Sequence, residues 1–156
     1  MFLRIQFVHE EHLMSDAHGA DTFHAALDRV HHGLFEIGSG RPDAYMSCWH
    51  ALPQVTLFGA WGPIERGFDR LASTFAWVGS RFTGGGLLAE DVEMFSSGDL
   101  AYTIGFERGL VSVDGAPAKI MKIRVTHLYR RIEGRWGLVH RHADFPPTDP
   151  RSASSR

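Results

Sequence analysis

The chain has 156 residues, 44% of them hydrophobic, which is the size of one ordinary domain able to bury roughly 70% of the surface its unfolded form exposes. With 16 Lys and Arg against 18 Asp and Glu, the formal net charge of -2 supplies no field for a phosphate backbone and argues against a nucleic-acid partner. The single cysteine, Cys48, excludes an intramolecular disulfide and reads as a buried structural thiol, while apolar runs of a few residues fall far short of the ~20 of a membrane span, so a cytoplasmic protein without a membrane partner is expected.

Residues 1–13 are too short in their apolar part and too acidic afterwards for a secretory signal, and Met14 looks like an ordinary start. Residues 1–20 are therefore expected to be a mobile arm, 21–147 the folded domain, and the Pro/Ser-rich 148–156 a disordered tail. Over 22–36, Phe23, Ala26, Leu27, Val30 and Leu34 recur at helical spacing, with Asp21 placed to cap the helix and Gly38 to stop it. Pro42 suits the first turn of a short second helix through Tyr45, Met46 and Trp49, which Pro53 must end. A brief strand over 54–58 follows, then a third helix from Gly62-Pro63 to about Arg81 with Ile64, Phe68, Leu71, Phe75 and Val78 along one side.

Beyond Gly84-Gly85-Gly86 the pattern turns strand-like, over 87–95, 100–111, 118–131 and 136–144, with hairpin signals at Gly98-Asp99, Asp114-Gly115 and Glu133-Gly134. Helices followed by a meander of long strands predict an α+β domain with the helices on one face of an antiparallel sheet. Apolar parity then assigns the covered face. It places Leu100, Tyr102, Ile104, Phe106 and Leu110 inside, opposite Ala101, Thr103, Gly105 and Glu107; in the next strand Met121, Ile123, Val125 and Tyr129 bring His127 inside with them. The last strand stays open: with Val139 inward, Arg141 enters the interior and His140 and His142 join Arg124, Thr126 and Trp136 outside, and a bulge reverses this.

The run Arg124-Val125-Thr126, then Tyr129-Arg130-Arg131, Gly134-Arg135-Trp136 and Val139 to Asp144, together with Val55 to Gly59, Gly62-Pro63 and Gly67, resembles SnoaL-like proteins of the nuclear transport factor 2-like, or ketosteroid isomerase-like, superfamily. The resemblance implies a cone-shaped α+β fold, with three N-terminal helices packed on a curved antiparallel β-sheet, a pocket open at one end, and frequent homodimerisation through the sheet. Isomerase relatives need a carboxylate base and an acid that holds the enolate oxygen. Many SnoaL-like sequences carry Asp just before their first strand, where this chain has Leu52-Pro53-Gln54.

Among 10 histidines, His127 in an apolar row is a candidate general base or ligand anchor, or a satisfied core histidine. Arg141 facing inward requires a carboxylate partner, either Asp91, Glu93 or an acidic ligand. With Tyr102 and His50 these form the candidate catalytic set, and Trp49, Trp61, Phe106, Tyr129, His140, His142 and Asp144 the candidate ligand-binding set. The His140-x-His142 spacing with Asp144 or His127 also admits a metal reading, beside the reading as interface histidines; neither a metal nor a cofactor is expected. The resulting expectation is a small-molecule-binding protein taking an apolar or acidic organic ligand, with acid–base chemistry on an apolar carbonyl compound where there is turnover. A non-catalytic association domain that dimerises through its sheet is the alternative.

Overall fold

The computed structural model describes residues 20–148, so the expectations for the arm before residue 20 and the tail after residue 148 fall outside the described residues. Helix α1 (Phe23–Gly38) is capped by Thr22, whose hydroxyl accepts from the Ala25 N–H at 3.1 Å. Asp21, the expected cap, instead receives Arg29 and accepts from the Trp136 N–H at 2.9 Å, tying the helix start to the last strand. One face of α1 buries Ala26, Leu27, Val30, Leu34 and Ile37. Gly33 interrupts that face because a Cβ there would sit 2.7 Å from the Tyr45 Cα, so its absence lets helix α2 (Asp43–Met46) lie directly on α1 and fixes Tyr45 in the interior.

Strand β1 (Thr56–Phe58) turns back as β2 (Ile64–Arg66) before helix α3 (Phe68–Arg81) begins. The third helix thus opens later than its sequence implied, and Ile64, read as part of its apolar side, is a 71% exposed strand residue. The remaining strands are β3 (Phe82–Gly85), β4 (Leu88–Ser97), β5 (Leu100–Val113), β6 (Lys119–Ile132) and β7 (Arg135–Asp144). They assemble in the order β2-β1-β7-β6-β5-β3, with β4 also paired to β5. All pairings are antiparallel except β1 beside β7, so the expected antiparallel sheet is corrected to a mostly antiparallel one, curled into a half-barrel around the helices.

The face assigned to β5 is also corrected. Ala101, Thr103, Gly105, Glu107 and Val111 face the helices and are buried, whereas Leu100, Ile104 and Leu110 are exposed on the outside, with Tyr102 and Phe106 among them. The curl explains the reversal. A Cβ on Gly109 would meet the Gly86 carbonyl at 1.9 Å, and one on Gly105 the Glu90 carbonyl at 2.1 Å. An inner row this close to neighbouring backbone takes small residues, so the larger apolar side chains stand on the other face.

In β6 the expected parity holds, with Ile123, Val125, His127 and Tyr129 buried. In β7 a bulge between its pairings with Leu128 and Tyr129 resolves the open assignment. Trp136 and Leu138 face inward before it, and Arg141 and Ala143 face inward after it. Trp136 therefore belongs to the core, not to the outer patch, while His140 and His142 stand outside.

Candidate functional site

Four polar side chains from four elements meet under α2: Tyr45, Glu107 of β5, His127 of β6 and Arg141 of β7. All four are buried. The Arg141 fork grips Glu107 bidentately, Nη2 donating to Oε2 at 2.9 Å and Nη1 to Oε1. Arg141 Nη1 also lies 3.4 Å from the Tyr45 hydroxyl and 3.2 Å from His127 Nε2, and the Tyr45 hydroxyl is 2.8 Å from the same nitrogen.

Burial opposes the charge on Arg141, yet Glu107 and Tyr45 beside it hold its pKa above the ordinary arginine value. Burial, and then the Arg141 charge, hold His127 well below 6.5, so it is a neutral imidazole at pH 7. A neutral Nε2 without its proton accepts from the Tyr45 O–H. Burial likewise pushes the Tyr45 phenol up, which keeps it protonated and able to donate.

The cluster floors a cavity of about 50 Å³, walled by Leu34, Leu57, Trp61, Phe75, Phe82 and Ile123, in which Tyr45, Glu107 and Arg141 supply the ionisable groups. That volume has room for no more than a few water molecules. A larger occupant must displace the wall where it meets solvent, at Gly59 to Trp61, Pro63 and the 41% exposed Phe145. Trp61 is held there by the Arg81 guanidinium, 4.1 Å from its ring centroid, and Arg81 in turn by Asp114 at 2.8 Å.

Of the residues singled out from sequence, His127, Arg141 and Trp61 lie at or around this cavity. His50 does not: its Nε2 donates to the Arg130 carbonyl at 2.9 Å, a core contact. Trp49 packs behind the cavity against Tyr45 and Phe75, and Tyr129 is core, 1% exposed and edge-on to Phe23. Tyr102 stacks on Phe95 outside, and Phe106 carries Lys122 on its outward ring at 4.2 Å. His140 bonds Thr56 at 2.7 Å, His142 packs on Phe58, and Asp144 pairs with Arg124. Among the described residues no group of three or more His, Cys, Asp or Glu could hold a metal ion.

Tyr45 and Glu107 were missed. Glu107 was visible as the one carboxylate in the small-residue row Ala101, Thr103, Gly105, the partner that an inward Arg141 demands, but the face assignment put that row outside. Tyr45 carried no such signal, because its depth depends on Gly33 in another helix.

The family model of the SnoaL-like domain matches residues 25–148. The chain belongs to the SnoaL-like family. It is similar to a nuclear transport factor 2-like superfamily protein from Salmonella enterica serovar Typhimurium (17% identity, TM-score 0.67, covering 79% of this chain and 87% of that one). It is also similar to a ketosteroid isomerase-like protein from Erwinia carotovora atroseptica (17% identity, TM-score 0.66, covering 80% and 94%). A cystatin-like protein of unknown function from Nostoc punctiforme aligns at 19% identity and TM-score 0.60, covering 81% and 90%. No curated protein matches the chain. Identities this low carry the fold alone.

Proposed function

We propose that this SnoaL-like protein binds a small, mainly apolar carbonyl compound, its oxygen directed at Tyr45, and that the floor cluster moves a proton on it. The observation that carries this reading is the burial of an acid–base set in the lining of an otherwise apolar cavity, the usual makeup of a ligand site. Glu107 would take a proton from the carbon next to the carbonyl. The enolate oxygen so formed accepts from the Tyr45 O–H, which turns to it from His127 Nε2, while that nitrogen keeps Arg141 Nη1, 3.2 Å away, as its donor. The negative charge passes from Glu107 to the enolate and Arg141 remains beside it, so the buried charge stays balanced through the step. Returning the proton to a second carbon completes an isomerisation.

The test is proton–deuterium exchange of a cyclic ketone in D2O followed by NMR, with Tyr45→Phe beside the unaltered protein. Catalysed exchange lowered about tenfold or more in Tyr45→Phe is expected, the effect of losing one enolate donor. Exchange no faster than in buffer removes the catalytic part, and absence of any ketone-induced shift in the Trp61 indole removes the binding part.

A second reading, association through the outer sheet face, is favoured by the exposed Val92, Phe95, Leu100 and Ile104 beside Arg124, Thr126, His140 and His142. A homodimer by light scattering is its expected outcome, and a monomer at working concentration ends it. Both readings can hold together. No helix among the described residues is long and apolar enough to cross a membrane.

A further inference from the structure

An inward arginine without a carboxylate would make a receptor for anionic ligands. Here the carboxylate is built in. We propose that Glu107 sets the charge of what the cavity accepts, restricting it to neutral carbonyl compounds and excluding carboxylates; this rests on the cavity being the ligand site proposed above.

Both fork nitrogens of Arg141 are committed to Glu107, and the remaining contacts of Nη1 are the Tyr45 hydroxyl and His127 Nε2. The cluster is therefore one cation, one anion, a phenol and a neutral imidazole, with a net charge of zero. The Glu107 side chain is only 1% exposed and that of Arg141 8%, so water screens neither. A ligand carboxylate reaching the floor has two options. Beside the intact pair it places a second negative charge against Glu107 with no further cation in the lining. In place of Glu107 it takes Arg141 but leaves Glu107 buried and unpaired. A neutral carbonyl oxygen meets neither obstacle, because the Tyr45 O–H can turn to it from His127 Nε2, which keeps its contact with Arg141 Nη1, and the ion pair stays whole.

The experiment uses acetophenone, benzamide and benzoate, which match in shape and differ in charge, titrated into the full chain at pH 7 by calorimetry, with the Trp61 indole N–H resonance marking the cavity. The two neutral compounds are expected to bind at least tenfold more tightly than benzoate. Equal affinity for all three overturns the charge restriction and leaves the cavity as a ligand site; no binding by any of them overturns the site and the restriction together. Glu107→Gln, checked for folding by circular dichroism, frees the fork and is expected to gain benzoate binding at least tenfold. A folded Glu107→Gln protein that still rejects benzoate also overturns the proposal. Where that variant does not fold, the three-ligand comparison on the unaltered protein decides alone.

Discussion

Two arginine–carboxylate pairs cross neighbouring parts of the same sheet, one on each face. Arg141 and Glu107 meet on the helix-covered face with side chains 8% and 1% exposed, whereas Arg124 and Asp144 meet on the outer face at 48% and 47%. Both are bidentate. The groups are chemically alike, so what separates them is the solvent each partner would find if the other were removed. Outside, water takes the vacant place; inside, a charge is stranded in a cavity walled by aromatic and aliphatic side chains. The chemistry and ligand choice proposed above therefore rest on the inner pair, while the outer one contributes to the character of a surface.

The largest effect expected from this difference is on stability. Replacing Arg141 by Met or Glu107 by Leu alone should cost about 3–5 kcal/mol, because each leaves the other ion buried and unpaired. The joint change Arg141→Met with Glu107→Leu should recover most of that loss. Urea unfolding of the two single variants and the double one reads this directly. A double variant as unstable as the sum of the singles would mean that the pair matters for packing and not for charge.

The inner face was also the harder one to read. Helix α1 was legible because its apolar stripe repeats within one element, and β6 because its inner row, Ile123 and Val125, is as apolar as the rule assumes. In β5 the rule met a row selected for close backbone approach, Gly105 and Gly109, and returned the opposite face. In β7 a single bulge puts both Trp136 and Arg141 inside, which no uniform alternation allows. His127 and Arg141 could be singled out from strand parity. Their partners Tyr45 and Glu107 could not, since one depends on helix-on-helix contact and the other on the curl.

Acid should separate the histidines by environment. Unfolded His127 takes up a proton near pH 6.5, while the folded one, held well below that value by burial and by Arg141, stays neutral until far lower. Protons therefore favour the unfolded chain, and this group should withdraw about 1.4 kcal/mol of stability per pH unit below 6.5 until its folded pKa is reached. His31 on α1 has the opposite sign. Its hydrogen bond to Asp91 of β4, 2.7 Å long, raises its pKa against the effect of burial. Its contribution is then fully present below pH 6.5 and lost as pH rises through the raised value, and with a side chain 38% exposed it should stay under about 1 kcal/mol. NMR titration of the ring resonances, with His31→Gln to assign them, checks both. A His127 signal that moves near pH 6.5 would show that water reaches the cluster.

The smallest effect is expected at Arg124, and it sharpens the comparison most. Arg124 holds the Asp144 carboxyl below its ordinary value through a direct hydrogen bond, yet both ends of the pair are open to water, which replaces either partner when the other is cut back. Arg124→Met should leave the urea midpoint of the monomer unchanged within experimental scatter, in contrast to Arg141→Met, although both substitutions remove one arginine from a bidentate pair. If the outer face associates, the same change should still alter light scattering, because a two-fold interface would repeat it on both copies. A loss of monomer stability in Arg124→Met comparable to that in Arg141→Met would contradict the explanation by burial. The distinction between the two faces would then have to rest on packing around each arginine's aliphatic stem.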